Sequence, residues 1–560
     1  MQCHSDLSIN DRRNTLFMVE IIRFQNYSFK YSNSQEISLN NVNLSIDKGD
    51  FALMIGDTGS GKSTLLKQLK PELALGKVTS GELSIFGEQP REQFSDIAYI
   101  SQFVDNQMVT ESARDEFHFV LENQGLNNEQ IHSKIAEIAS YFDITDLMDL
   151  GENELSGGQK QLINLASALI LNPQILLLDE PTSQLDPVTS EKFMRMIQKI
   201  NQDLNITVLL VEHTIEHAVF YANRLVVIDS GTIKMNETVD IGLRKLFDEV
   251  DLRNYLPQID RFYLERGMDV HENLPLTNQE LNKLIQNKRS EFYYHESREI
   301  SDEQSKSILD VHNISFRFDF NERNIVDSVS FQLDKGVAYG ILGPNGVGKT
   351  TLLRLMTKQL KLQSGSVKLN GTKLNKLGND FYQDVFVLPQ DPSLLFVADT
   401  VHDEISYQLE QENISYDENK ITTILADYQL DKVSNKSPYD LSGGQQEYLA
   451  LAIGFIKNPQ ILFLDEPSKG LDPNMKVKLA EKLNKFRANG GTIFVNTHDV
   501  LFSSKYLDYV SLMFDGKLSE FEHPREFFPD KYFYTTEINK AVREFYPQAL
   551  LWEDINQNES

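Results

Sequence analysis

Gly56-Asp57-Thr58-Gly59-Ser60-Gly61-Lys62-Ser63 decides how this sequence is read. An apolar run, Phe51 to Ile55, precedes it, and Thr64-Leu65-Leu66-Lys67-Gln68-Leu69 follows. The order predicts strand, glycine loop, helix, in the pattern G-x-x-x-x-G-K-[ST]. Glycines let successive backbone N–H groups curl around phosphate oxygens, and the helix N-terminus adds a positive dipole end. In such a loop Lys62 is expected to reach the outer phosphates and Ser63 to ligate Mg²⁺.

The pattern recurs. Gly343-Pro344-Asn345-Gly346-Val347-Gly348-Lys349-Thr350, with Thr351 behind it, follows the run Val337 to Leu342, and the two lysines lie 287 residues apart. Leu155-Ser156-Gly157-Gly158-Gln159 returns as Leu441-Ser442-Gly443-Gly444-Gln445, offset by 286. Ile175-Leu176-Leu177-Leu178-Asp179-Glu180-Pro181 returns as Ile461-Leu462-Phe463-Leu464-Asp465-Glu466-Pro467 at the same offset. A near-constant offset across three motifs means two copies of one α/β domain. Asp179-Glu180 and Asp465-Glu466 each end an apolar run, at the C-terminal edge of a buried parallel strand, where ligands bind in open α/β sheets. There Asp179 and Asp465 suit Mg²⁺, and Glu180 and Glu466 suit orienting or deprotonating an attacking water.

With a phosphate loop upstream and Asp-Glu-Pro downstream, the Leu-Ser-Gly-Gly-Gln stretch resembles the ATP-binding-cassette (ABC) ATPase family, over roughly residues 18–240 and again 308–523. The resemblance implies two P-loop ATPase domains, each a RecA-like core with an antiparallel β subdomain and a helical subdomain, using ATP and Mg²⁺. It implies a role for Gln102 and Gln390 as the glutamines that contact Mg²⁺ and the water. His213 and His498 match the switch histidine that touches the γ-phosphate, and Tyr31 and Phe318 match the aromatic that stacks on adenine. Ser183-Gln184-Leu185-Asp186 and Lys469-Gly470-Leu471-Asp472 match the loop that crosses between domains. Paired head to tail, within one chain or between two, site 1 combines Lys62, Ser63, Asp179, Glu180 and His213 with Ser442 and Gly444. Site 2 combines Lys349, Thr350, Asp465, Glu466 and His498 with Ser156 and Gly158. Neither set is degenerate, so two hydrolytic sites are expected. One departure stands out: Lys160-Gln161 and Gln446-Glu447 follow the signature glutamine, where an arginine commonly follows, which leaves the packing of that helix start open.

The chain has 560 residues, 40% hydrophobic and 24% charged, the proportions of a globular protein too long for one core. It divides into an N-terminal extension (1–17, with Met18 a candidate start), a first ATPase domain (18–241), a linker (242–307), a second ATPase domain (308–523) and a tail (524–560). Ser301 to Ser307 reads as a flexible link. No apolar run approaches the roughly 18 residues of a membrane span, and no signal peptide is recognisable. A single cysteine, Cys3, excludes an internal disulfide framework, and a net charge of -28 argues against a nucleic-acid partner.

Three classes of ABC protein divide the functional question. DNA-repair relatives carry zinc-binding cysteines or long coiled coils, absent here. Ribosome-acting relatives use a long, usually basic helical linker. The segment 241–307 instead has 10 Lys+Arg against 13 Asp+Glu and is broken by Pro257 and Pro275. Phe103-Val104-Asp105-Asn106-Gln107-Met108 after Gln102, Asp115-Glu116, and Pro275-Leu276-Thr277 before Asn278-Gln279-Glu280 resemble energy-coupling-factor ATPases, here fused in one chain as in the cobalt or thiamine-precursor type. Gln390-Asp391-Pro392 with Asp403-Glu404 is a looser match, and a helix-start role toward the dipole is the plainer reading of both acid pairs. The resemblance implies a peripheral protein on the cytoplasmic face of the cell membrane. Its partners there would be a transmembrane coupling protein and a small substrate-capture membrane protein on separate chains. The alternative is a soluble ATPase acting on ribosomes.

Overall fold

The computed structural model describes residues 19–32, 36–90, 96–101, 110–268, 273–296, 306–319, 321, 323–379 and 381–558. Each copy is built on a six-stranded, mostly parallel sheet. In the first, the strand order is Ile97–Ile100, Ile175–Asp179, Thr207–Val211, Phe51–Ile55, Arg224–Asp229, Thr232–Thr238. In the second it is Val385–Leu388, Ile461–Asp465, Thr492–Asn496, Ala338–Leu342, Tyr509–Phe514, Lys517–Leu518. Phe51–Ile55 and Ile175–Asp179 are buried at every residue, which is why they read as unbroken apolar runs rather than alternating ones. A separate antiparallel sheet flanks each core: Leu39–Asp47, Glu20–Tyr31 and Gly76–Ile85 in the first copy, and Val326–Asp334, Ser307–Phe316, Ser364–Leu369 and Thr372–Lys373 in the second.

The serine signature has a local structural cause that sequence reading missed. Ser-Gly-Gly-Gln is also a capping box, S-x-x-Q. The Ser156 N–H donates to Gln159 Oε1 at 2.8 Å, and the Gln159 N–H returns to Ser156 Oγ at 3.3 Å, opening helix Gly157–Leu169. In the second copy the Ser442 N–H donates to Gln445 Oε1 at 3.1 Å, opening Gly443–Lys457. Gln159 and Gln445, expected among the nucleotide contacts, therefore turn their carboxamides back onto their own helix starts. Where the arginine is missing, Gln161 is fully buried and donates from Nε2 to Pro181 O at 2.9 Å, and in the second copy the buried Glu447 is followed by Tyr448, whose hydroxyl donates to Met475 O at 2.7 Å.

Linker and tail, read from sequence as separate segments, form one unit. Phe292–Tyr294 of the linker pairs antiparallel with Ile555–Gln557 of the tail, and helix Asn278–Asn287 packs on Glu537–Val542. Phe262, Leu281, Ile285, Ile538 and Val542 join the hydrophobic core of the first copy, while Phe527, Phe528 and Leu551 join that of the second. Arg525 grips Asp554 bidentately at 2.5 and 2.6 Å, both buried, a strong charge-assisted pair. Of the expected flexible link, 301–305 lie outside the described residues, as does the N-terminal extension 1–17 with Met18.

Candidate active site

The phosphate loops have the geometry their glycines require. Gly56 and Gly343 sit at φ 148° and 151°, where a Cβ would lie 2.0 Å from Ile228 O and 2.5 Å from Met513 O. Gly61 and Gly348, at φ 104° and 108°, are the N-caps of helices Lys62–Gln68 and Lys349–Met356. Lys62 Nζ donates to Gly56 O and Asp57 O at 2.7 and 3.0 Å, and Lys349 Nζ to Gly343 O and Pro344 O at 2.7 and 2.9 Å. Burial pulls both ammonium pKa values down against the opposing pull of Glu180 and Glu466.

Ser63 Oγ donates to Asp179 Oδ1 at 2.8 Å, so the two residues expected at Mg²⁺ are already neighbours. Tyr99 OH holds the other oxygen at 3.0 Å. In the second copy Thr350 bonds Asp465, whose Oδ1 also accepts from Asn496 Nδ2 at 3.1 Å. Burial, then the neighbouring glutamate, pushes Asp179 up; burial also pushes Asp465 up.

Glu180 and Glu466 are the next residues, and both have left-handed backbones, φ 52° and 61°. That conformation costs of order 1–3 kcal/mol in a non-glycine residue and is typical of strained functional sites. It turns the carboxylates toward the histidines: His213 Nε2 is 2.7 Å from Glu180 Oε1, and His498 Nδ1 is 2.9 Å from Glu466 Oε2. Burial pushes both glutamates up, but the histidines and lysines outweigh it and hold them below the ordinary range. Each carboxylate is held ionised by the histidine and lysine beside it, one residue beyond Asp179 or Asp465.

The cassettes meet head to tail within the one chain. Asp472 Oδ2 accepts the Thr58 N–H at 2.8 Å, and Asn345 Nδ2 donates to Gln184 O at 2.8 Å. A Cβ on Gly444 would lie 3.3 Å from Thr58 Cγ2, so the second copy's signature faces the first copy's phosphate loop. The hydroxyls of Thr58 and Ser60 in the phosphate loop and of Ser442 in the signature are buried without a hydrogen-bond partner. Such orphaned donors fit a triphosphate. Tyr31 donates to Thr64 Oγ1 at 3.2 Å and stands edge-on to Phe29; Phe318 stands edge-on to Phe316 and is exposed, as an adenine platform must be. Gln390 lies exposed just past Val385–Leu388, and Gln102 lies outside the described residues.

Glu212, beside His213, carried no signal in the sequence. Burial pushes its carboxyl up to about 8, against opposing bonds from Thr182. Thr182 Oγ1 donates to its Oε1 at 2.7 Å. The folded pKa lies above the unfolded one, so the folded state keeps a proton that the unfolded chain releases. The contribution of this group to stability falls as pH rises from about 4.5 to 8, by on the order of 5 kcal/mol. Glu212→Gln is expected to remove that loss: melting measured from pH 5 to 8.5 should show the variant gaining stability over the parent toward pH 8.

Two phosphate loops, two acid pairs and two signatures, joined across one interface, define a tandem P-loop ATPase. The chain belongs to the ABC transporter family, whose sequence profile matches residues 39–183 and 326–469. An ABC transporter ATP-binding protein of Bacillus thuringiensis subsp. konkukian is 36% identical over 550 residues, covering 96% of this chain and 98% of that one. One from Vibrio vulnificus is 30% identical, covering 89% of each. In fold, the chain is similar to an archaeal ribosome recycling factor bound to a ribosomal stalk protein (TM-score 0.58, 18% identity, 90% of each chain) and to an RNase-L inhibitor (0.56, 17%, 95% and 96%).

Proposed function

We propose that the chain is the ATP-hydrolysing motor of a membrane importer of the energy-coupling-factor type, working on the cytoplasmic face through transmembrane and substrate-capture proteins on other chains. The observation that carries this reading is an apolar surface beside Gln390. Leu394 and Val397 are 73% and 65% exposed, and Tyr439, bonded to the same segment, is exposed as well. The surface is braced, not loose. Glu404, fully buried, accepts the Val397 and Ala398 N–H groups at 2.8 Å each, and Tyr439 OH donates to Phe396 O at 3.0 Å. Glu404 thus does more than favour a helix dipole. Rigid exposed apolar surface next to a nucleotide-sensing glutamine suits a partner helix docking side-on. The corresponding loop of the first copy, 102–109, lies outside the described residues.

In this reading Lys62 and Lys349 bind the outer phosphates, and Tyr31 and Phe318 stack on adenine. Mg²⁺, held by Ser63 with Asp179 and by Thr350 with Asp465, would neutralise charge on the β- and γ-phosphates. Glu180 and Glu466 orient the attacking water and accept its proton, and His213 and His498 hold the γ-phosphate. Ser442 with Gly444, and Ser156 with Gly158, close over the phosphates from the opposite copy. ATP favours the closed pair because only that form makes both halves of each site, and hydrolysis returns the open form. The names of the bacterial relatives support transport. The likeness to ribosome recycling factors is one of fold.

Leu394→Asp should lower the recovery of integral membrane proteins with the tagged chain from solubilised membranes at least ten-fold, with the melting temperature unchanged. Recovery of ribosomes in place of membrane proteins would overturn the reading.

A further inference from the structure

The two composite sites are not held alike. At site 1, Asp57 Oδ1 accepts from Tyr255 OH at 2.8 Å and from Asn474 Nδ2 at 3.2 Å. Asn474 also donates to Asp251 O at 3.0 Å and accepts from Asn254 Nδ2 at 2.9 Å. One knot therefore joins the first copy's phosphate loop, the start of helix Pro473–Ala488 in the second copy, and the linker turn Val250–Tyr255. Asp472 adds its bond to the Thr58 N–H next door.

Site 2 lacks the means to make this knot. The second copy has Pro344 at the position of Asp57, and the first has Val188 at the position of Asn474. Asp186, the counterpart of Asp472, spends its carboxylate on Val188 N, Thr189 N and Thr189 Oγ1, capping its own helix. A Cβ on Gly444 would lie 3.3 Å from Gly470 O of its own copy and 3.3 Å from Thr58 Cγ2 across the interface; the atoms nearest to one on Gly158 belong to Thr189 of its own copy. Site 2 is held across the interface by Asn345 Nδ2 donating to Gln184 O at 2.8 Å, with no tie from its phosphate loop to the linker among the described residues, so site 1 carries the more extensive clamp.

We propose that Tyr255 is a positioning residue for site 1: its hydroxyl holds the phosphate loop against the second copy, so that site 1 rests closer to its closed, ATP-gripping form than site 2 does. Tyr255 is buried, so its ring is fixed and its hydroxyl has a single aim. It touches neither ATP nor the reacting water; it acts through Asp57. Apparent affinity scales with the fraction of the site already competent to bind, so losing the bond weakens binding at site 1 alone. The inference needs only the ATPase activity and stands apart from the importer reading.

The test is Tyr255→Phe, which keeps the ring and removes the hydroxyl, in two one-site backgrounds of the full chain. Lys349→Ala leaves only site 1 able to bind, and Lys62→Ala leaves only site 2. The probe is the non-hydrolysable imido analogue of ATP with Mg²⁺, titrated calorimetrically. Tyr255→Phe should raise Kd about three- to five-fold in the Lys349→Ala background, the worth of one hydrogen bond, and less than about 1.5-fold in the Lys62→Ala background. Asn474→Val, which copies the side chain of the other site, should shift Kd in the same background and direction, and carries the test should the tyrosine variant not fold. An equal shift in both backgrounds, or none in either, contradicts the proposal.

Discussion

Glu180→Gln and Glu466→Gln are each expected to cut steady-state ATP turnover to half or less, and together to lower it at least about 100-fold, with nucleotide still bound. Glutamine keeps the shape and the left-handed turn but cannot accept a proton, and a positioned general base contributes about 10²–10⁴-fold. The hydrolytic groups are arranged alike at the two sites. Each glutamate sits one residue past its metal-side aspartate, each has positive φ, and each faces a histidine within 3 Å. Steady-state phosphate release measures this. If either single variant turned over at the parent rate, the claim of two hydrolytic sites would be wrong.

Ser442→Arg should silence the site built on Lys62, lowering its turnover more than about 100-fold. Its Kd for ATP should rise no more than about ten-fold, because the phosphate loop that supplies most of the grip is untouched. The physical reason is space: the signature packs against the opposing phosphate loop, an ideal Cβ on Gly444 lying 3.3 Å from Thr58 and the Ser442 hydroxyl being buried, so a guanidinium at 442 is expected to hold the two apart. An effect seen only as lost binding would contradict the composite-site picture and return Ser442 to a mere helix cap.

The repeat, the phosphate loops and the acid pairs were legible because backbone geometry dictates them. Only glycine tolerates φ near 150° against a carbonyl 2.0 Å from its missing Cβ, and only an unbroken apolar run suits Phe51–Ile55. Enzyme class and fold followed from these. The signature glutamines have a second role that their sequence pattern also encodes, because S-x-x-Q forms a helix-capping box. Glu212 was invisible because its raised pKa comes from burial, which a sequence does not display. The composite of linker and tail was missed for a similar reason. Phe292–Tyr294 and Ile555–Gln557 are three-residue strands more than 250 residues apart, too short to announce themselves. The knot around Asp57 needed three distant segments in space, although Pro344 and Val188 already marked its one-sidedness in the sequence.

Whether one chain holds two complete ATP sites between its own cassettes is decided by stoichiometry. Nucleotide content measured beside light scattering tests it on the Glu180→Gln, Glu466→Gln double variant saturated with Mg·ATP. Two ATP per chain, with the mass staying that of a monomer, is the result this account predicts. Doubling of the mass on adding ATP, or a single ATP per chain, would contradict it.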